Sequence, residues 1–206
     1  MRSAMKLILA SASPRRAEIL RNAGIQFEVR AADVDESRLA NETPGDYVCR
    51  LALAKALSAA AKYRDGGDQA LFLGADTVVV VDTDLLGKPA SQDDAQSMLR
   101  RLSGRIHEVH TGLALLQMPG TMQRVVEEIT RVQFAPITDN EIEDYIATGE
   151  PFDKAGAYAI QGIGGRYVTR IEGCYFNVMG LPLARLWSLL GEFGWPNSPE
   201  FRSAAN

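Results

Sequence analysis

From Leu7 to Ala10 the chain is wholly apolar, a run of the length and composition of a buried strand. Ser11 and Ser13 break it, and Pro14 stands at the first position of a helix whose N-cap is Ser13. Gly24 ends that helix, Ile25–Arg30 reads as extended, and the acidic stretch from Asp33 through Asp35 and Glu36 follows. Thr43-Pro44 repeats the cap-and-proline signal and opens an alanine-rich helix to about Tyr63. Asp65–Asp68 reads as a loop. Ala70–Gly74 predicts a strand ending at Ala75-Asp76-Thr77, and Val78–Val81 continues the extended pattern to a turn at Asp82–Asp84.

Ser91 and Asp94 have capping-box spacing and start a helix through Leu102, closed by Gly104. His107–Leu116 and Arg124–Ala135 read as a hairpin of long strands. Thr138 and Glu141 cap the next helix, which Gly149 stops. The Gly-rich segment Asp153–Gly165 leads to a second predicted hairpin turning near Glu172-Gly173. Pro182 then starts a last amphipathic helix with the stripe Leu183, Leu186 and Leu190. Helices and strands alternate first and long hairpins follow, so the predicted class is α/β with a mixed sheet. No repeat and no Pro/Ser linker divides the chain. Residues 5–195 read as one domain, with 1–4 and 196–206 as flexible termini.

Composition narrows the classes of function. A chain of 206 residues, 46% hydrophobic and 23% charged, has the balance of a soluble globular protein with a substantial core. Its formal charge of −4 gives no basic face for a nucleic acid polymer, so an anion site must be a local concentration of Arg and Lys. That suits a small phosphorylated ligand. Cys49 and Cys174 make neither a metal-ligand spacing nor a disulfide framework, which points to a reducing cytoplasm, and both read as packing residues. His107 and His110, three apart, would face opposite sides of a strand and have no Cys or His partner for zinc. No apolar stretch approaches the roughly 18 residues of a membrane span. Leu7–Ala10 is also too short for the core of a signal peptide.

The candidate chemistry begins at the first helix. Arg15 and Arg16 stand in its first turn, where the helix dipole disfavours each cation by roughly 0.3–1 kcal/mol. Free backbone N–H groups, two hydroxyls and two guanidinium groups at one point suit an anion such as a phosphate chain. The same residues also read as surface arginines paired with Glu18 or other carboxylates, with Ser13 only a cap. Asp76 follows a predicted strand, where ligands of α/β sheets sit, and Gly74 and Ala75 leave room beside it; a turn-capping Asp reads the same way. Lys55 falls on the apolar stripe of Val48, Leu51 and Ala52, and either snorkels to the rim or points into a cleft. Lys88 is positioned by Pro89. Glu36 is a candidate to join Asp76 around a divalent cation, or a solvated loop acid. In Asp153–Gly162, small residues suit a planar ligand, and Gln161 carries a donor and an acceptor for a nucleobase edge. A Gly-rich turn would have a similar composition.

Taken in order, these pieces resemble the Maf family of nucleoside triphosphate pyrophosphatases from about Leu7 to Gly194. They are Ser11-x-Ser13-Pro14-Arg15-Arg16, Asp35-Glu36, Arg50-Leu51-Ala52 with Lys55, Gly74-Ala75-Asp76-Thr77, Lys88-Pro89 and Leu102-Ser103-Gly104, then Asp153-Lys154-Ala155-Gly156-Ala157-Tyr158, Ile160-Gln161-Gly162 and Gly180-Leu181-Pro182. Each is weak alone, but the ordered set is specific. The resemblance implies an ITPase-like fold whose long mixed sheet and flanking helices form two lobes around a nucleotide cleft. It implies hydrolysis of a nucleoside triphosphate to the monophosphate and pyrophosphate, with Asp76 as proton acceptor. Arg15, Thr77 and Gln161 fall where the family sets substrate preference, and Ser11, Ser13, Arg16, Lys55 and Lys88 are the expected phosphate ligands. A divalent cation, Mg²⁺ or Mn²⁺, held by Asp76 and Glu36, and a homodimer are implied as well.

The branch similar to 7-methyl-GTP pyrophosphatases usually has Trp in place of Arg15 and Ser-Asp-Gln in place of Ala75-Asp76-Thr77, and lacks Asp-Lys-Ala-Gly-Ala-Tyr. The chain therefore resembles the dTTP/UTP branch, with one departure: Ala159 stands where Gly is usual before Ile-Gln-Gly, which bears on fine specificity. Two other readings stay open, a non-catalytic regulator of cell division and septum formation, and a house-cleaning enzyme for modified nucleotides.

Overall fold

The computed structural model describes residues 5–63, 69–120 and 122–195. The predicted loop at 65–68 and the predicted flexible ends, 1–4 and 196–206, lie outside the described residues. The strands are β1 (Lys6–Leu9), β2 (Glu28–Val29), β3 (Ala70–Val81), β4 (Asp84–Leu86), β5 (Ile106–Met118), β6 (Gln123–Phe134) and β7 (Val168–Glu172). They form one mixed sheet in the order β2-β1-β3-β5-β6-β7, with β4 also paired to β3. β1 runs parallel to β2 and β3, and the remaining pairings are antiparallel. The mixed α/β class expected from the alternation of elements is the one observed.

The helix α2 (Pro44–Ala61) lies against one face, where Ala52, Ala56 and Ala59 meet Ile8, Phe72 and Ala114. Its alanines bring the helix close, and two strand glycines let it come closer. A Cβ on Gly74 would stand 1.9 Å from the Ala52 carbonyl oxygen, and one on Gly112 would stand 2.3 Å from that of Val48. Thr43 caps the helix by accepting the Asp46 N–H at 3.1 Å.

The opposite face carries two separate cores, one for each lobe. α1 (Pro14–Asn22) and α6 (Leu183–Glu192) pack on Leu7, Leu9, Leu71, Leu73, Leu113 and Leu115. α3 (Gln92–Leu102) and α4 (Asp139–Ala147) pack on Val79, Val81, Val109, Val132 and Phe134. Each Leu or Val so buried contributes roughly 1.5–3 kcal/mol. Between the two cores the strands place Thr77 opposite Thr111.

Two local expectations are corrected and a third is narrowed. β3 does not stop at Gly74; it runs unbroken from Ala70 to Val81, because β5 pairs with it over nearly its whole length. Only Glu28 and Val29 of the extended segment 25–30 join the sheet, beside Ile8 and Leu9. No second hairpin forms at Glu172-Gly173. After β7 the chain turns at Gly173 (φ +122°) into the short helix α5 (Tyr175–Val178). The Asn177 side chain anchors that turn, its Nδ2 donating to the Val109 and Glu128 carbonyls at 2.9 and 3.2 Å. The Gly-rich segment itself contains short 3₁₀ turns at Glu150–Asp153, Ala155–Ala157 and Ile163–Tyr167.

One interruption in the sheet matters for function. β1 leaves register with β3 at Leu73, and β4 enters it at Val79. Between them, residues 74–78 of β3 have, among the described residues, a strand neighbour only on the β5 side.

Candidate active site

A cleft of about 610 Å³ opens at this interruption. Ser11, Ser13, Arg15, Arg16, Glu36, Lys55, Asp76, Thr77, Lys88 and Gln161, the residues singled out in the sequence, all line it. Asp76 and Thr77 are adjacent in a strand, so their side chains leave opposite faces of the sheet. Both reach one cleft because, among the described residues, no strand closes the edge beside them.

On the α2 face, the Lys55 ammonium lies 2.6 Å from Asp76 Oδ1 and 2.6 Å from Glu36 Oε1. Lys55 thus points into the cleft rather than to the rim. The close seating of α2 over Gly74 and Gly112 puts this ammonium within reach of β3. The same helix holds the loop that carries Glu36: the Tyr47 hydroxyl donates to the Glu36 carbonyl at 3.0 Å, and Arg50 Nη2 to that of Ser37 at 3.0 Å. Burial works against the Glu36 carboxylate, but its bond to Lys55 and the charges of Lys55, Lys88 and Arg16 outweigh it and carry the pKa below its usual value. The Tyr47 hydroxyl is pushed up by burial and then by the charges of Asp76 and Glu36.

On the other face, Arg16 is buried, and its bonds run to neutral oxygens. Nε donates to the Gly180 carbonyl at 2.8 Å, Nη1 to Ser11 Oγ at 3.0 Å and Nη2 to Thr77 Oγ1 at 3.1 Å. Thr77 and Thr111 hydroxyls lie 2.9 Å apart, and Thr111 donates to the Asn177 carbonyl at 3.3 Å. Since the Thr111 proton is used there, Thr77 must donate to Thr111, and a single polarised chain runs from Arg16 to α5. Desolvation lowers the Arg16 pKa against the raising influence of Asp76. A guanidinium buried among neutral oxygens keeps a field that an anion can answer. Nearby, Ser13 occupies the cap position of α1 but makes no capping bond through its side chain.

The third wall holds Arg15, Lys88 and Gln161. Lys88 and Gln161 are exposed, and Arg15 is half-buried. The Gly156 N–H donates to the Gly87 carbonyl at 3.0 Å, tying the turn before Gln161 to the loop that carries Lys88. Sequence reasoning missed Thr111, Asn177 and Tyr47. A glycine inside a predicted strand at 112 was the available signal that a backbone packs closely there.

Cys49 and the two histidines stand apart from this chemistry. Burial pushes the Cys49 thiol up to about 11, in keeping with a packing role. His107 and His110 leave opposite faces of β5; His107 Nε2 bonds the Tyr158 hydroxyl at 2.9 Å, and His110 pairs with Glu127 at 2.6 Å. Among the described residues, no group of three or more His, Cys, Asp or Glu converges on one point, and no helix is long and apolar enough to cross a membrane.

A carboxylate–ammonium pair facing a buried guanidinium across an open strand edge is equipment for hydrolysing an anionic substrate. Residues 6–193 match the family described as Maf-like protein, and the chain belongs to that family. Among curated relatives, a dTTP/UTP pyrophosphatase of Koribacter versatilis is 53% identical over 92% of this chain and 95% of its own length. Proteins of the same name from Geotalea uraniireducens (51%, covering 94% and 98%) and Symbiobacterium thermophilum (49%, covering 93% and 95%) are similar over the same extent. A solved nucleoside-triphosphatase, a dITP/XTP pyrophosphatase of Mycobacterium abscessus, aligns with 65% of this chain and 76% of that one at 18% identity and a TM-score of 0.39, too loose a likeness to build on.

Proposed function

We infer that the chain hydrolyses dTTP and UTP to the nucleoside monophosphate and pyrophosphate. The observation that carries this reading is the meeting of Asp76 and Arg16, from opposite faces of one sheet, in a single cleft. The relatives' shared name supplies the substrate class.

In this reading Asp76 accepts a proton from a water molecule as its oxygen bonds to the α-phosphorus. The bond from that phosphorus to the α–β bridging oxygen breaks, and pyrophosphate leaves with the electron pair. Lys55 fixes the Asp76 carboxylate through its 2.6 Å bond and sets a positive charge beside the reacting phosphate. Arg16, with Ser11 behind it, faces the phosphate chain, and Ser13 and Lys88 add donors from α1 and the opposite loop. Arg15, Thr77 and Gln161 sort the substrates.

The carboxylates also suit a hard divalent cation, Mg²⁺ or Mn²⁺. Glu36 and Asp76 each aim an oxygen at one position, now taken by the Lys55 ammonium, and phosphate oxygens and water are natural further ligands. Such a cation, when bound, would offset negative charge on the triphosphate and the leaving pyrophosphate. The two free cysteines favour a cytoplasmic setting, and the family resemblance favours a homodimer.

Pyrophosphate release from purified protein, measured with a panel of ordinary and modified triphosphates, is the test. Turnover should be greatest with dTTP and UTP. No release from any nucleotide would remove the enzymatic reading, and a preference for modified bases would redirect it.

A further inference from the structure

Gln161 sits at the tip of an exposed turn, a poor platform for reading a base unless something holds that turn. Two side chains with no part in the chemistry above do so. The hydroxyl of Tyr145, a buried residue of α4, accepts the Ala159 N–H at 3.1 Å and donates its own proton to Glu150 Oε1 at 2.7 Å. Glu150 Oε1 also accepts the Gly164 N–H at 3.0 Å, and Oε2 accepts the Ile163 N–H at 2.9 Å. One pair therefore grips the turn two residues before Gln161 and again two and three residues after it. Glu150 is itself fixed: its N–H donates to Thr148 Oγ1 at 3.2 Å, and its carbonyl accepts from Lys154 Nζ at 2.8 Å.

The grip also accounts for two glycines that the sequence left as generic turn formers. A Cβ on Gly162 would stand 2.2 Å from Glu150 Oε2, and one on Gly164 would stand 2.5 Å from the Tyr145 hydroxyl. The clamp atoms occupy the space that side chains would need. This is a built contact, in which glycine at 162 and 164 makes room for the carboxylate and the phenol.

We propose that Tyr145 and Glu150 form a clamp that positions Gln161, and so set nucleobase preference without touching the substrate. The proposal rests on the pyrimidine triphosphatase reading for its substrate, but not for its geometry. Glu150 serves as an acceptor at three points, which a carboxylate can do and an amide cannot. In Glu150→Gln the amide NH₂ must face at least one N–H donor, so part of the turn is released. Tyr145→Phe removes the tie to Ala159 and leaves Glu150 on Ile163 and Gly164.

The test has two arms. Amide hydrogen exchange on the intact protein should show faster exchange at 163 and 164 in Glu150→Gln and at 159 in Tyr145→Phe. Unchanged exchange at all three overturns the clamp, whatever the substrate. In steady-state kinetics, Glu150→Gln should raise KM for UTP and dTTP by about tenfold or more and shrink their preference over GTP, with kcat changed far less. Inhibition by inorganic tripolyphosphate, which has no base, should be unmoved. An equal loss of affinity for tripolyphosphate and nucleotides, or a fall in kcat at constant KM, overturns the role in specificity. The double variant should show faster exchange at 159, 163 and 164 together, because the two groups hold different points of the turn, whereas a double variant whose three amides exchange no faster than in wild type counts against the clamp. Wild-type protein that cleaves no pyrimidine triphosphate breaks the functional reading instead, and leaves the exchange result to decide the clamp.

Discussion

The two faces of β3 at positions 76 and 77 are one residue apart and are built on opposite electrostatic plans. On the α2 side an ammonium is shared between two carboxylates, so one net negative charge remains and the pairs can be rearranged when a ligand arrives. On the α1 side a guanidinium is wedged among a carbonyl and two hydroxyls, and its direct partners cancel none of its charge. The first arrangement suits a group that must gain and lose a proton. The second suits a fixed cation whose task is to hold an anion still.

Breaking the first face should give the largest effect. Asp76→Asn keeps the shape and removes the proton acceptor, so turnover should fall by about 10²–10⁴-fold while nucleotide binding stays measurable by calorimetry. An Asn variant with near-normal turnover would end the assignment. On the second face, Arg16→Lys keeps a charge but cannot reproduce the forked contacts to Gly180, Ser11 and Thr77. Bonds to a charged group are worth roughly 1.5–3 kcal/mol, so KM should rise by about ten- to a hundredfold, with kcat affected less. Equal damage to kcat and KM in both variants would erase the proposed division of labour.

The smallest effect concerns acid. The Arg16 side of the sheet also contains His107, whose pKa burial lowers to about 4. Its unfolded value is near 6.5, so between these values the unfolded chain binds more protons and stability falls as pH drops. Wild type should lose about 1–2 kcal/mol of stability through this group between pH 7 and pH 5. His107→Gln should flatten that part of the melting-temperature profile; an identical slope would show that other groups carry it.

The site was more legible in the sequence than the fold details around it. Ser11, Arg16, Lys55, Asp76 and Gln161 could be picked out because polar residues interrupt apolar or small-residue patterns at each place. The extent of β3 could not, because Gly74-Ala75-Asp76-Thr77 has the local chemistry of a turn, and only pairing to β5 makes it strand. The helix α5 was hidden for a similar reason: Asn177 is an ordinary polar residue until the carbonyls of Val109 and Glu128 are set beside it. Thr111 read as a strand position like any other, and its place in the chain from Arg16 depends on register alone.

The missing neighbour of β3 has a consequence for how such a site can vary. The opening is framed by where two short strands end, at Leu73 on one side and Val79 on the other, a span of roughly 20 Å of strand. Its length is thus counted in residues rather than shaped by side chains. One added pair on β1 or β4 would shorten it by about 3.3 Å without changing any residue that lines it. The width of the opening thus follows from strand length, and insertions or deletions at Ala10 or Gly87 would reset it where point substitutions could not.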